Sequence, residues 1–190
     1  AAFEAPNEPM PQKPLETVEP NSTFIDIAPT DIEILYLIQK GVVRGNPDKT
    51  IAPNAKLTRA EATTIFSRMF DLTPGFDPGC TFSDVPSTEW YAPYTSSLCN
   101  AGLLRGYPDG TFKAGSNLTR AEATAMLVRG LQKLQNAQPS DTFTFLPSDV
   151  PHDTWFSKYA NYVLEKNYSP LVNNRFDAGR LYTRRDLFVD

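Results

Sequence analysis

One stretch of this sequence occurs twice. Gly41 to Arg68 reads GVVRGNPDKTIAPNAKLTRAEATTIFSR, and Gly102 to Arg129, 61 positions on, reads GLLRGYPDGTFKAGSNLTRAEATAMLVR, with 14 of 28 residues identical. Such self-similarity decides the kind of fold, because one copy is too small to bury its own apolar face and must stack on its neighbours. Matching lead-ins stand upstream of each copy, Phe24-Ile25-Asp26-Ile27 and Phe82-Ser83-Asp84-Val85. A third, weaker copy follows. Ser148-Asp149-Val150-Pro151 with Trp155 answers Ser83-Asp84-Val85-Pro86 with Trp90, and Thr183-Arg184-Arg185-Asp186 stands where Thr119-Arg120-Ala121-Glu122 stands.

Each copy reads as helix, loop, helix. In the first helices Ile34, Leu37, Ile38 and Val42, then Tyr91, Tyr94 and Leu98, then Trp155, Tyr159, Tyr162 and Val163, recur at helical spacing. Gly41 and Gly102 supply left-handed stops after them. Pro47-Asp48 and Pro108-Asp109-Gly110 read as turns. The second helices begin at Thr58, Thr119 and Thr183, with Ala62, Ile65, Phe66, Met69, Ala123, Met126, Leu127 and Leu131 facing inward. The expected fold class is all-α, three helix-loop-helix repeats sharing one core. The divisions are a Pro/Glu-rich linker over 1–21 and repeats over 22–75, 76–138 and 139–190, the last degenerate with a short final helix.

Thr58-Arg59-Ala60-Glu61 and Thr119-Arg120-Ala121-Glu122 have the form of a capping box, kept with a shorter acid in Thr183…Asp186. The arginine is not required by capping, and a cation in the first turn opposes the helix dipole. Yet it recurs as Arg59, Arg120 and Arg184. Two uses fit: with free helix-terminal amides it makes an anion site, or it bridges to a neighbouring copy, with Asp26, Asp84 or Asp149 as partner. On the first use Arg120→Ala leaves stability nearly unchanged. Tyr107, beside a glycine turn, is expected to be exposed and able to stack on a sugar.

The run from Phe82 through Trp90 and Gly102-Leu103-Leu104-Arg105-Gly106-Tyr107-Pro108-Asp109-Gly110 to Leu118-Thr119-Arg120-Ala121-Glu122 resembles an S-layer homology repeat, and the likeness extends over about residues 24–190. The resemblance implies a pseudo-threefold, three-pronged helical spindle whose inter-prong grooves bind a secondary cell wall polymer, often through a pyruvylated sugar. Carried onto this chain, Arg120 faces the carboxylate while Asp84, Trp90 and the Gly106 loop line a groove. Arg59, Asp26 and Gly45 serve another, and Arg184, Asp149 and Trp155 are the matching candidate residues of copy three. The departures are Ile32 in place of the tryptophan, Lys49 in place of the turn glycine, and residues 167–176 in place of the glycine loop of copy three.

The expected function is non-covalent anchoring of a cell-surface protein to an anionic wall polysaccharide. The alternatives are a protein-interaction or oligomerisation module, or binding to peptidoglycan itself. A net charge of −4 argues against nucleic acid as partner. No apolar run approaches the length of a membrane span. His152 stands alone in a loop, and no acid pair, nucleophile–histidine pair or metal cluster stands out, so neither catalysis nor a cofactor is expected. Cys80 and Cys99 allow one disulfide, favoured in the extracellular location that the resemblance implies. Ala1-Ala2-Phe3 is consistent with a cut signal peptide, and a cargo domain outside this stretch is compatible with the linker.

Overall fold

The computed structural model describes residues 24–28, 30–143 and 146–189. The proposed linker over 1–21 lies outside the described residues. Six helices appear among them: α1 (Ile32–Gln39), α2 (Arg59–Met69), α3 (Ala92–Asn100), α4 (Arg120–Gln135), α5 (Ser157–Glu165) and α6 (Asp186–Val189). Extended pairing is confined there to isolated bridges, so the protein is mainly helical, as the periodicity predicts.

The local signals in the sequence fix the helix ends. Thr58 and Thr119 form complete capping boxes with Glu61 and Glu122. The Thr183 amide and hydroxyl both donate to Asp186, so the shorter acid still reaches. Gly41 and Gly102 take φ of 71° and 78°, and Asn167 fills the same role in copy three at φ 55°. Asparagine tolerates that region because its short polar side chain can bond locally. Lys49 also sits at φ 65°, where copy two has Gly110 at 78°.

Helix pairing runs between successive helix-loop-helix stretches. The two helices of one copy do not pack on each other. Instead α2 packs on α3, α4 on α5, and α6 on α1. Each of α2 and α4 thus finds its partner in the helix that follows it in the chain, and α6 closes back on α1. Leu37 and Ile38 are only partly buried, whereas Ile34 and Leu35 carry the buried side of α1.

Backbone bonds around the helix starts close a ring. The Leu57 amide donates to the Tyr182 carbonyl (2.9 Å), Tyr182 to Leu118 (2.8 Å) and Leu118 to Leu57 (2.8 Å). The first two amides of each second helix donate to the following copy as well. Arg59 and Ala60 reach Ser116 and Ala114, Arg120 and Ala121 reach Arg180 and Ala178, and Arg184 and Arg185 reach Ala55 and Pro53. These amides are therefore spent, which corrects the expectation of free helix-terminal donors. A helix start enclosed by protein must satisfy its orphan N–H groups, and here carbonyls from another stretch of the same chain do so.

Among the described residues the apolar interior forms two clusters, not one. The larger runs from Ile27 through Phe66, Leu98 and Phe112 to Leu187, and the smaller gathers Val128, Val150, Tyr159, Val163 and Phe176. Helix α4 lies between them, giving Ala123 and Met126 to the first and Ala125 and Val128 to the second. The α2–α3 connection is pinned to α3 by the Cys80–Cys99 disulfide and by the Asp77 amide donating to Ser96 Oγ (2.7 Å).

Candidate functional site

The three recurrent arginines all reach into the following copy. Arg59 donates from Nε to the Phe112 carbonyl (2.7 Å), from Nη1 to Glu122 Oε1 (2.9 Å) and from Nη2 to the Arg105 carbonyl (3.3 Å). Arg184 Nη1 donates to Ile51 O (2.8 Å), and its Nη2 lies 3.5 Å from Glu61. Arg120 Nη1 donates to Phe176 O (2.9 Å), while Nη2 donates to Ser169 Oγ and Pro170 O. The bridging use is thus present, but its hydrogen-bond acceptors are carbonyls, the capping Glu122 and the Ser169 hydroxyl rather than Asp26, Asp84 or Asp149. Arg120 is 1% exposed, stacked over the Phe176 ring and roofed by the Ser169–Pro170 loop. A side chain so enclosed cannot be removed without leaving buried acceptors, so the expectation that Arg120→Ala spares stability is corrected.

Asp26, Asp84 and Asp149 bracket their own loops. Asp26 accepts from the Ile51 and Ala52 amides, Asp84 from Phe112 and Lys113, and Asp149 from Phe176 and Asp177. Positive φ at Ala52, Lys113 and Asp177 belongs to each of these amide pairs. Burial pushes the three carboxyls up, but the converging N–H donors outweigh it and hold all three below the usual carboxylate range. Ile51, Phe112 and Phe176 therefore each bond an aspartate through N–H and an arginine of the preceding copy through C=O.

A groove of about 590 Å³ runs between the second and third copies. One wall is the Arg105-Gly106-Tyr107-Pro108 loop; the others are faces of α4 and α5, with Arg59 of the first copy at one side. It gathers Arg59, Gly106, Tyr107 and Trp155 of the expected site residues, while Arg120, Asp84 and Trp90 stand outside its lining. Gly106 has its place because an added Cβ would fall on the Phe82 ring; Gly45 stands in the same relation to Phe24. Tyr107 is half-buried rather than exposed. Its hydroxyl donates to Glu122 (2.9 Å), and its ring lies under Arg59 (4.8 Å) and Lys113 (4.3 Å). Burial and the bond to Glu122 raise its pKa above the ordinary tyrosine value.

Trp155 supplies the exposed aromatic surface of the groove. Trp155 is 56% exposed and held edge-on by Phe156; Trp90 is 57% exposed and held edge-on by Tyr91. Four cations line the groove, Arg59, Arg105, Arg129 and Lys158, against Glu122 as the acid. Arg105, Arg129, Lys158 and Glu122 were not among the expected site residues. Arg129 had a visible signal, since it closes the repeated stretch just as Arg68 does. Lys158 had none, because copy two has Pro93 at that place. His152 lies exposed beside Phe143, with ring centroids 5.6 Å apart.

Residues 24–63 and 81–124 match the model of the S-layer homology domain. Cell surface glycoprotein 1 of Acetivibrio thermocellus is 33% identical over 67% of this chain and 6% of its own length. S-layer protein sap of Bacillus anthracis is 27% identical over 80% of the chain and 18% of its own. The cellulosome-anchoring protein of Acetivibrio thermocellus is 26% identical over 76% and 34%. The chain thus spans at most about a third of the length of these three relatives. It carries two segments that match the S-layer homology domain, and its relatives are S-layer and cell-surface proteins.

Proposed function

We propose that this chain anchors a cell-surface protein non-covalently to the cell wall by gripping an anionic secondary wall polysaccharide. Its three repeats would form a pseudo-threefold spindle in which residues 139–190 serve as the third copy. The observation that carries the reading is the groove between the second and third copies. A chain of net charge −4 collects four cations there against one acid, beside an exposed tryptophan. Apolar sugar faces stack on such a ring, and fixed cations select a carboxylate-bearing sugar such as a pyruvylated one. The cellulosome-anchoring and S-layer relatives support the anchoring role. The chemistry required is recognition and not bond cleavage, so the module is read as non-catalytic.

The test is co-sedimentation of the chain with purified walls of the producing organism, before and after extraction of the non-peptidoglycan polysaccharide. Binding to intact walls that disappears on extraction is expected. Binding retained on the bare peptidoglycan would transfer the function to that polymer. Self-association without wall binding would make the chain an oligomerisation module.

A further inference from the structure

The polysaccharide-binding reading leaves open which residues hold the ligand's charge, and the family likeness points to the arginine of the repeated Thr-Arg-Ala-Glu. In this groove that arginine is Arg59, and its guanidinium is already engaged. It bonds two carbonyls, pairs with Glu122 at 2.9 Å and is 4% exposed. An ion pair this enclosed has its charge balanced within the protein. Pulling it apart to serve a ligand would leave Glu122 without its cation in a partly buried place.

The other end of the groove is different. Arg129 donates from Nε to the Tyr159 hydroxyl (3.1 Å) and from Nη1 to the Leu103 carbonyl (3.3 Å), both neutral acceptors. Among the described residues it has no carboxylate within ion-pair distance. Lys158 has Asp141 at 3.8 Å, but that aspartate is 84% exposed and well solvated, so the pair contributes little. Both cations lie over one ring, that of Tyr159, at 5.0 and 5.6 Å from its centre. Two positive groups therefore each lie within 6 Å of the centre of one buried ring and line the groove that also presents Trp155, without an enclosed counter-charge.

We infer that Arg129 and Lys158, rather than Arg59, hold the carboxylate of the bound sugar, with Trp155 under its ring. The Arg129 fork is pre-aligned by two bonds, leaving Nη2 to face the ligand, and Lys158 adds a second charge from α5. The arrangement is specific to this groove. Between α2 and α3, Arg68 lies over Tyr94 at 5.8 Å in the manner of Arg129, but Pro93 stands where α5 has Lys158. Of these two grooves, the one between α4 and α5 is accordingly the tighter site.

The inference rests on the wall-anchoring reading, and its test separates the two. The probes are purified walls of the producing organism, native and with carboxylates reduced to alcohols, titrated with wild type, Arg129→Met, Lys158→Met and the double variant. Each single variant is expected to bind native walls about tenfold or more weaker, since a charge-assisted contact is lost. Wild type on reduced walls should fall to the level of the double variant, and the double variant should lose nothing further there. That pattern couples these side chains to the carboxylate as a double-mutant cycle does. Lys158 sits at the surface, so its variant carries the test even if Arg129→Met lowers the unfolding temperature. If wild type binds native walls and both single variants bind equally well, the inference is wrong while anchoring stands. Equal wild-type binding to native and reduced walls also overturns it. Absence of wild-type binding to native walls overturns the anchoring reading and the inference together.

Discussion

At the scale of single residues, Arg120 shows how one motif serves different ends in successive copies. Arg59 and Arg184 share their charge with the capping glutamates Glu122 and Glu61. In copy three that acid is Asp186, one methylene shorter, and Arg180 pairs with it instead at 2.9 Å. Arg120 turns to Ser169, Pro170 and Phe176, and the loop over 168–170 closes on it. Arg120→Ala should therefore cost about 2–4 kcal/mol of folding stability, since enclosed carbonyls lose their donors at roughly 1–3 kcal/mol each. Urea unfolding of wild type and variant measures this. A variant within 0.5 kcal/mol, the ordinary range for a surface change of about that size, would show that the enclosure contributes nothing.

At the scale of elements, the helix starts and stops were legible because capping chemistry is local. Thr58, Thr119 and Thr183 announce their helices through contacts three residues away, and Gly41 and Gly102 announce the stops through backbone freedom. Lys49 is the exception that a local rule can correct. It holds φ 65° in a turn where the second copy uses Gly110. A side chain there costs roughly 1–2 kcal/mol against glycine through its Cβ, and Lys49 is exposed. Lys49→Gly should raise the midpoint of thermal unfolding, by an amount near 1 kcal/mol after the larger chain entropy of glycine is subtracted. An unchanged or lower midpoint would mean that the turn relaxes around the lysine.

At the scale of the whole molecule, the cyclic pairing makes the copies mutually dependent. The Leu57–Tyr182–Leu118 ring and the α6–α1 contact tie the last copy to the first, so local opening of one copy breaks bonds in two others. A single unfolding transition, seen alike by near-ultraviolet and far-ultraviolet circular dichroism, is expected. The disulfide spans a separation of 19 residues. Replacing both cysteines by serine should lower stability by about 3 kcal/mol on loop entropy while keeping the transition single. Separate transitions for the copies would show that the ring is not cooperative.

The sequence by itself determined that the chain is a helical repeat, where most helices begin, and which residues recur. Identities, caps and left-handed stops act between residues a few positions apart, and those distances are written directly in the chain. Only the tertiary structure decided that helices pair across copies and not within them. It also decided that Asp26, Asp84 and Asp149 hold loops, and that Tyr107 lies half-buried under two cations. The groove is the sharpest instance: Arg59, Gly106, Arg129 and Lys158 come from three different copies. Whether a recurrent arginine is spent on a neighbour's glutamate or left facing solvent depends on partners some 50 to 130 residues away, and periodicity along the chain carries no information about charge balance across it.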